Sequence, residues 1–347
     1  MKAITFQNIR EIECIDVPDP EILEPGDLIV KTTCTAICGS DMHVYHGRET
    51  GIDKGTVMGH EFTGEVVETG TGVTVFKKGD HVVSPFTTSC GKCYFCKTGL
   101  TARCERSQLF GWVENGKGLQ GAQAEYVRIP LADSTAVLIP ENVQPRHALL
   151  AGDILSTGYF CAEMAEVQKG KPYVVVGCGP VGLLAVLSAF DQGADRVYAI
   201  DPVEYRLKIA EKMGAVPIKL DDVIQEKVQD ITQGIGFESV MEAVGSPGAQ
   251  RLAYQIVRQG GIISTVGVHT AADFSFSPVD AYNKNITYKI GRCSARHYMD
   301  KVIPRLHGWS KMLDLIITHT MSLDEGKNAY RIFDQKLEDC IKILLNP

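Results

Sequence analysis

The sequence predicts an α/β protein in two parts: a β-rich unit up to about residue 150 and a doubly wound parallel sheet after it. Three observations predict this. Short β-branched runs separated by Gly, Pro and Asp turns fill the first part. From Tyr173 onward, strand-like and helix-like segments alternate at the spacing of right-handed crossovers. The first of those helices opens on Gly177-Cys178-Gly179-Pro180-Val181-Gly182, directly after an apolar run.

In the first part the expected strands are Ile29–Thr33, Glu65–Glu68, His81–Ser84 and Ala124–Ile129, with Pro25-Gly26-Asp27 and Lys78-Gly79-Asp80 as turns. In the second part the strands are Tyr173–Val176, Arg196–Asp201, Pro217–Leu220, Ser239–Ala243, Ile262–Val266 and Ile286–Ile290. Helices are expected over Val181–Phe190, Val203–Met213, Val223–Thr232 and Ala249–Val257. The tail from about Met299 reads as helical, then as a last apolar strand, Cys340–Leu345, returning to the first unit.

At 347 residues the chain exceeds one small core, which favours two domains. A net charge of −7 offers no electrostatic support for nucleic acid. Tyr173–Phe190 carries no charge and is long enough to span a bilayer, but its three glycines and proline divide it into a strand, a turn and a buried helix, so no membrane span is expected. The opening residues have no apolar signal core. Eleven cysteines without such a signal fit a reducing cytoplasm and metal thiolates.

Four of those cysteines, Cys90, Cys93, Cys96 and Cys104, fall within one Gly/Lys/Thr-rich stretch. Four thiolates can close a tetrahedral shell around zinc and leave no position for substrate, which marks a structural site. A second, separated set does not close: Cys38, His60 and Asp153 offer three donors and leave a fourth position exchangeable, the pattern of a catalytic zinc. Two zinc ions per chain follow.

The glycines of Gly177–Gly182 serve a tight turn, close backbone approach to a pyrophosphate, and helix–strand contact, while the helix N-terminus faces the phosphates. Asp201 ends the next strand, where a carboxylate accepts hydrogen bonds from the adenosine ribose and repels a 2′-phosphate. NAD is therefore expected over NADP, with Arg206 a nearby cation that softens the preference.

The order of Cys38–His43, Gly59-His60-Glu61, the four-cysteine loop, Ser156-Thr157-Gly158 and Gly177–Gly182 resembles the zinc-containing medium-chain dehydrogenase/reductase family, the alcohol dehydrogenases, over essentially the whole chain. The resemblance implies a GroES-like β catalytic domain, residues 1–152 and 292–347, interrupted by a Rossmann NAD-binding domain, residues 153–291. It implies that Cys38, His60 and Asp153 bind the catalytic zinc, with Glu61 beside it to coordinate transiently as ligands exchange. Ser40 would take the substrate hydroxyl proton and His43 would pass it through the cofactor ribose to water. Thr157 would lie against the nicotinamide, Val181 under the cofactor, and Lys342 against the pyrophosphate. Phe86 and Trp112 match positions that line the substrate pocket.

There are departures from the family pattern. The third ligand is Asp153, as in bacterial secondary-alcohol dehydrogenases and glutathione-independent formaldehyde dehydrogenases, rather than Cys or Glu. Gly39 replaces a basic residue of some relatives. The expected activity is zinc-dependent, reversible hydride transfer between a small primary or secondary alcohol and NAD, by a homo-oligomer (dimer or tetramer). Polyol or threonine dehydrogenase is the alternative within the family. A non-catalytic NAD-binding structural or regulatory protein is the alternative outside it.

Overall fold

A computed structural model describes residues 1–347. The chain forms two compact units, Met1–Ser156 with Ser294–Pro347, and Thr157–Cys293. The sequence placed the first break at 152/153, which would have put Asp153 in the second unit. The break falls instead inside the helix Ile154–Met164, so Asp153 belongs with Cys38 and His60.

The first unit is built on a seven-stranded sheet. Its spatial order is Ile317–Ser322, Lys342–Asn346, Leu28–Ala36, Phe62–Thr69, His81–Val83 and Val137–Leu138, with Tyr126–Ile129 also paired to Leu28–Ala36. Leu28–Ala36 is rich in β-branched residues that pack on a pleated surface. Leu28, Val30, Phe62, Val66, Val82, Phe110 and Ile129 are buried together beneath it. The last strand joins antiparallel to Leu28–Ala36, pairing Leu344 with Ala36 and Leu345 with Thr35, which returns the tail to this unit. Two separate ribbons, Lys2–Asn8 with Glu11–Asp16 and Trp112–Glu114 with Lys117–Leu119, complete its strands.

The second unit is a six-stranded, all-parallel sheet in the order Val216–Lys219, Arg196–Asp201, Pro172–Val176, Phe237–Glu242, Val257–Thr265, Thr287–Ile290. This is the doubly wound arrangement in which the chain starts mid-sheet, moves to one edge and then crosses to the other. Tyr173–Val176 is buried, which explains its unbroken apolar run. The Tyr173–Phe190 stretch resolves into the strand Pro172–Val176 and the helix Pro180–Asp191. No helix is long and apolar enough to cross a membrane.

Several strands depart from expectation: Lys2–Asn8, Glu11–Asp16, Trp112–Glu114, Lys117–Leu119, Val137–Leu138 and Ile317–Ser322 were not expected, the last lying in a tail read as helical. Val257–Thr265 starts five residues before the expected Ile262, directly after the helix Pro247–Ile256. Gly260-Gly261 lies inside this strand, whose register shifts between Phe237 and Ser239 of the neighbour.

Candidate metal centres and dinucleotide loop

Cys38 follows the strand Leu28–Ala36, His60 precedes Phe62–Thr69, and Asp153 sits between the helices Pro145–Ala151 and Ile154–Met164. Adjacent strands and a helix end thus bring together three residues that are far apart in sequence. Their donor atoms lie within 4.8 Å of one another. Cys38 Sγ is 3.2 Å from Asp153 Oδ2, and His60 Nε2 is 3.3 Å from the same oxygen. Metal–donor lengths of about 2.0–2.3 Å give tetrahedron edges of about 3.3–3.8 Å, close to these separations, so these residues fit a zinc ion.

The electrostatics agree with this fit. Burial pushes the Cys38 thiol up, and the Asp153 and Glu61 charges push it further. Burial disfavours the His60 cation, but Asp41, Cys38 and Asp153 outweigh it and raise its pKa well above the ordinary value. A divalent cation among these donors relieves the crowding of negative charge and displaces the His60 proton.

Behind the donors, His60 Nδ1 is 3.4 Å from Asp41 Oδ1, a carboxylate the sequence reading did not single out. Its signal was local: Asp41 Oδ2 accepts from Cys38 N (2.9 Å), closing a turn across the Cys38–His43 segment. Ser40 Oγ is 3.1 Å from His60 Nε2, which places a hydroxyl at the donor set. His43 lies in the helix Asp41–Tyr45, half-buried, with Nδ1 lacking a hydrogen-bond partner. Burial lowers its pKa, so the ring is neutral at neutral pH. Phe86 is buried with its ring edge-on to His60, centroids 6.4 Å apart.

Two expected placements are corrected. Lys342 is fully buried; its Nζ donates to Ile37 O (2.9 Å) and pairs with Glu61 Oε2 rather than presenting a cation to a phosphate. Burial opposes the Lys342 charge, but the Glu61 carboxylate outweighs it and raises the pKa. The other Glu61 oxygen, Oε1, is buried with no hydrogen-bond partner. Trp112 lies in the ribbon Trp112–Glu114 and packs against the buried cluster of Ile4, Phe6, Met58 and Tyr330. Trp112 is half-buried on that cluster, and Phe86 is the aromatic brought to His60.

Cys90, Cys93, Cys96 and Cys104 converge, their sulfurs within 4.8 Å of one another. Backbone N–H groups already point at the sulfurs: Cys90 N and Arg106 N donate to Cys104 Sγ (3.2 and 3.4 Å), and Cys93 N to Cys90 Sγ (3.4 Å). Backbone hydrogen bonds pull Cys93 down to about 6, while burial and its thiol neighbours push Cys96 up to about 12. Four thiolates so close repel one another, and a divalent cation at their centre removes that cost. The donor set fits a closed zinc site.

In the second unit, Gly179 caps the helix Pro180–Asp191 and Pro180 takes its first position, where a missing N–H costs nothing. A Cβ on Gly182 would lie 1.7 Å from Gly177 O, so only glycine permits this helix–strand approach. A Cβ on Gly179 would meet nothing nearer than Arg206 Nη1 at 3.9 Å, leaving the backbone open to a phosphate. Asp201 ends its strand with Oδ2 accepting from Cys178 N (2.7 Å) and Oδ1 from Val203 N (2.8 Å), tying the glycine loop to the neighbouring strand. Arg206 Nη1 is 4.0 Å from Asp201 Oδ2. Val181 is half-buried in the first turn of the helix, and Thr157, also half-buried, lies in Ile154–Met164. The loop and its acidic partner fit a dinucleotide.

With both donor sets and the dinucleotide loop in view, the comparisons assign the class. Residues 24–141 match the alcohol dehydrogenase GroES-like domain, and residues 180–308 the zinc-binding dehydrogenase domain. The chain belongs to the zinc-dependent medium-chain dehydrogenase family, a family of oxidoreductases. It is 40% identical to zinc-type alcohol dehydrogenase B of Aspergillus flavus, over 96% of this chain and 79% of that one. Among solved structures it is similar to the alcohol dehydrogenase TADH from Thermus sp. ATN1, with a TM-score of 0.92, 36% identity and coverage of 100% and 99% of the two chains. A zinc-binding dehydrogenase from Sinorhizobium meliloti 1021, solved with NADP, matches at a TM-score of 0.84 and 25% identity, over 100% and 99%.

Proposed function

We propose that this chain transfers a hydride reversibly between a small primary or secondary alcohol and NAD, giving the aldehyde or ketone. One observation carries the reading. Cys38, His60 and Asp153 converge at the spacing of three vertices of a metal tetrahedron, and the Ser40 hydroxyl stands 3.1 Å from His60 Nε2. Zinc held by those three residues would polarise the substrate oxygen as a Lewis acid, and NAD would accept the hydride. Ser40 Oγ takes the substrate hydroxyl proton and gives up its own. His43, neutral because it is buried, is the base that would accept that proton next and release it to water. Phe86, against His60, supplies an apolar wall to the substrate site. A second zinc, held by Cys90, Cys93, Cys96 and Cys104, braces the loop that contains them.

The choice of NAD rests on Asp201. Its carboxylate stands at the end of the second sheet strand, where a 2′-phosphate would be repelled. Arg206 beside it, and the NADP carried by the Sinorhizobium neighbour, define the competing outcome. Assembly into a dimer or tetramer belongs to the same reading: Thr287–Ile290 is the outer strand of its sheet, and Val279, Tyr282 and Ile290 are exposed. Eleven cysteines, none of them in a disulfide, support a reducing, cytoplasmic setting.

The test is NADH consumption by the zinc-loaded protein across a panel of aldehydes, ketones and ketoses. Turnover of small aldehydes or ketones is the expected result, turnover confined to ketoses would move the reading to polyols, and NADH binding without turnover of any carbonyl would overturn it.

A further inference from the structure

Gln123 is a fully buried polar side chain with every polar atom engaged. Its Nε2 donates to Ala36 O (3.0 Å) and Asp41 Oδ2 (3.3 Å), and its Oε1 accepts from the Tyr330 hydroxyl (2.8 Å). Asp41 in turn is 3.4 Å from His60 Nδ1 through its other oxygen. Tyr330, Gln123, Asp41 and His60 therefore form one buried chain from the helix Gly326–Gln335 to a donor of the open site, all four less than 9% exposed. The backbone of Gln123 is pinned as well, donating to Met58 O and accepting from Ile4 N (both 2.8 Å).

The residue before His60 is shaped to this side chain. Gly59 has φ +90°, and a Cβ there would lie 2.4 Å from Gln123 Cγ. Gln123 thus occupies the space that the glycine of Gly59-His60-Glu61 leaves and also holds the carboxylate that faces His60.

We propose that Gln123 and Tyr330 are positioning residues for the open donor set. An imidazole donates to a metal through Nε2 only while its proton sits on Nδ1, which needs an acceptor there. Asp41 is that acceptor, and a carboxylate can rotate. Cys38 N (2.9 Å) and the Gln123 amide (3.3 Å) together fix one Asp41 oxygen and so aim the other at His60. The Ala36 carbonyl and the Asp41 carboxylate, both acceptors, fix Nε2 as the donor end of the amide, and the Tyr330 hydroxyl then donates to Oε1 and holds the side chain in place. The inference rests on zinc binding by Cys38, His60 and Asp153, and adds the residues that set how firmly it is held.

The experiment follows zinc loss to a chelator from the purified full-length holoprotein, counting both zincs, in wild type, Gln123→Leu, Tyr330→Phe, Asp41→Asn and the Asp41→Asn/Gln123→Leu double variant. Partners of metal-ligating histidines typically change affinity by about 10–100-fold, so Gln123→Leu is expected to speed loss of one zinc by roughly ten-fold. Tyr330→Phe, which keeps the ring and the fold, shifts it in the same direction by less. The four-cysteine zinc is unchanged in both, which separates positioning from general destabilisation. The double variant loses zinc no faster than Asp41→Asn alone, because both substitutions break one chain.

Wild-type retention of the open-site zinc in Gln123→Leu and Tyr330→Phe, equal loss of both zincs, or additive effects with Asp41→Asn would overturn the proposal; so would a wild-type protein holding only the four-cysteine zinc. Wild-type retention in the variants beside normal alcohol oxidation rejects the positioning role and leaves the proposed function standing. Selective loss from a protein that oxidises no alcohol does the reverse.

Discussion

In the proposed reaction, Ser40 and His43 separate proton transfer from binding. Ser40 Oγ lies 3.1 Å from His60 Nε2, yet Ser40 is not among the metal donors, so Ser40→Ala keeps zinc and NAD. Removing a positioned proton-transfer group costs on the order of 10²–10⁴-fold, and single-turnover NADH formation from an alcohol is expected to fall by that much. Normal rates across the pH range would assign the proton another route. His43→Ala does less harm, since water replaces a distal member. Burial lowers the His43 pKa, so the wild-type ring stays neutral and able to accept a proton somewhat below its ordinary range near 6.5. The His43→Ala deficit is therefore largest from neutral pH down to that lowered pKa, and it shrinks as hydroxide rises. A deficit that grows with pH would contradict the role. At the cofactor end, like charges about 4 Å apart interact by roughly 4 kcal/mol at intermediate dielectric, so Asp201→Gly is expected to narrow the preference for NAD over NADP in kcat/KM. Equal wild-type efficiency with both cofactors would remove the basis for that assignment. Residue types and spacing made the two donor sets legible. They did not show that Lys342 turns inward to Glu61, that Trp112 packs against the core, or that Asp41 stands behind His60, because each depends on contacts between segments far apart in sequence.

The loop from Cys90 to Cys104 holds only short helical pieces, Tyr94–Lys97 and Thr101–Arg103, with no helix of its own long enough to be stable alone. Its order depends on what joins the four sulfurs. Cys96→Ser is expected to lose one zinc and to lower the thermal midpoint by several degrees, since about 1 kcal/mol shifts it by about 2–4 °C in units of this size. Alcohol oxidation per folded molecule is expected to persist. Unchanged zinc content and midpoint would contradict the assignment. Elements with strong periodicity were legible to within a few residues: Arg196–Asp201 matched at both ends, and the helix expected over Val181–Phe190 runs Pro180–Asp191. The strand Val257–Thr265 was read short because its first residues join the sheet only through an irregular register with Phe237–Glu242, a pairing the local sequence does not show. The helices Pro145–Ala151 and Ile154–Met164 were not read, because they are apolar on nearly every face and lack a polar stripe.

In the whole molecule, the first unit collects both donor sets and the second the dinucleotide loop, although the chain leaves the first unit after Ser156 and re-enters it at Ser294. The order of motifs along the sequence pointed to that division. Only the pairing of Lys342–Asn346 with Leu28–Ala36 and Ile317–Ser322 shows how the tail completes the sheet on which Cys38 and His60 are placed. Cys38, His60 and Asp153 are proposed to form an open zinc site that carries the reaction, independent of the closed four-cysteine site. The most direct measurement is zinc per chain together with alcohol-dependent NADH formation, on the same preparations of wild type and Asp153→Ala. Two zincs and turnover are expected for wild type, and for Asp153→Ala a folded chain that keeps the four-cysteine zinc, loses the other and forms no NADH. An Asp153→Ala protein that keeps both zincs and oxidises alcohol at the wild-type rate would contradict the proposal.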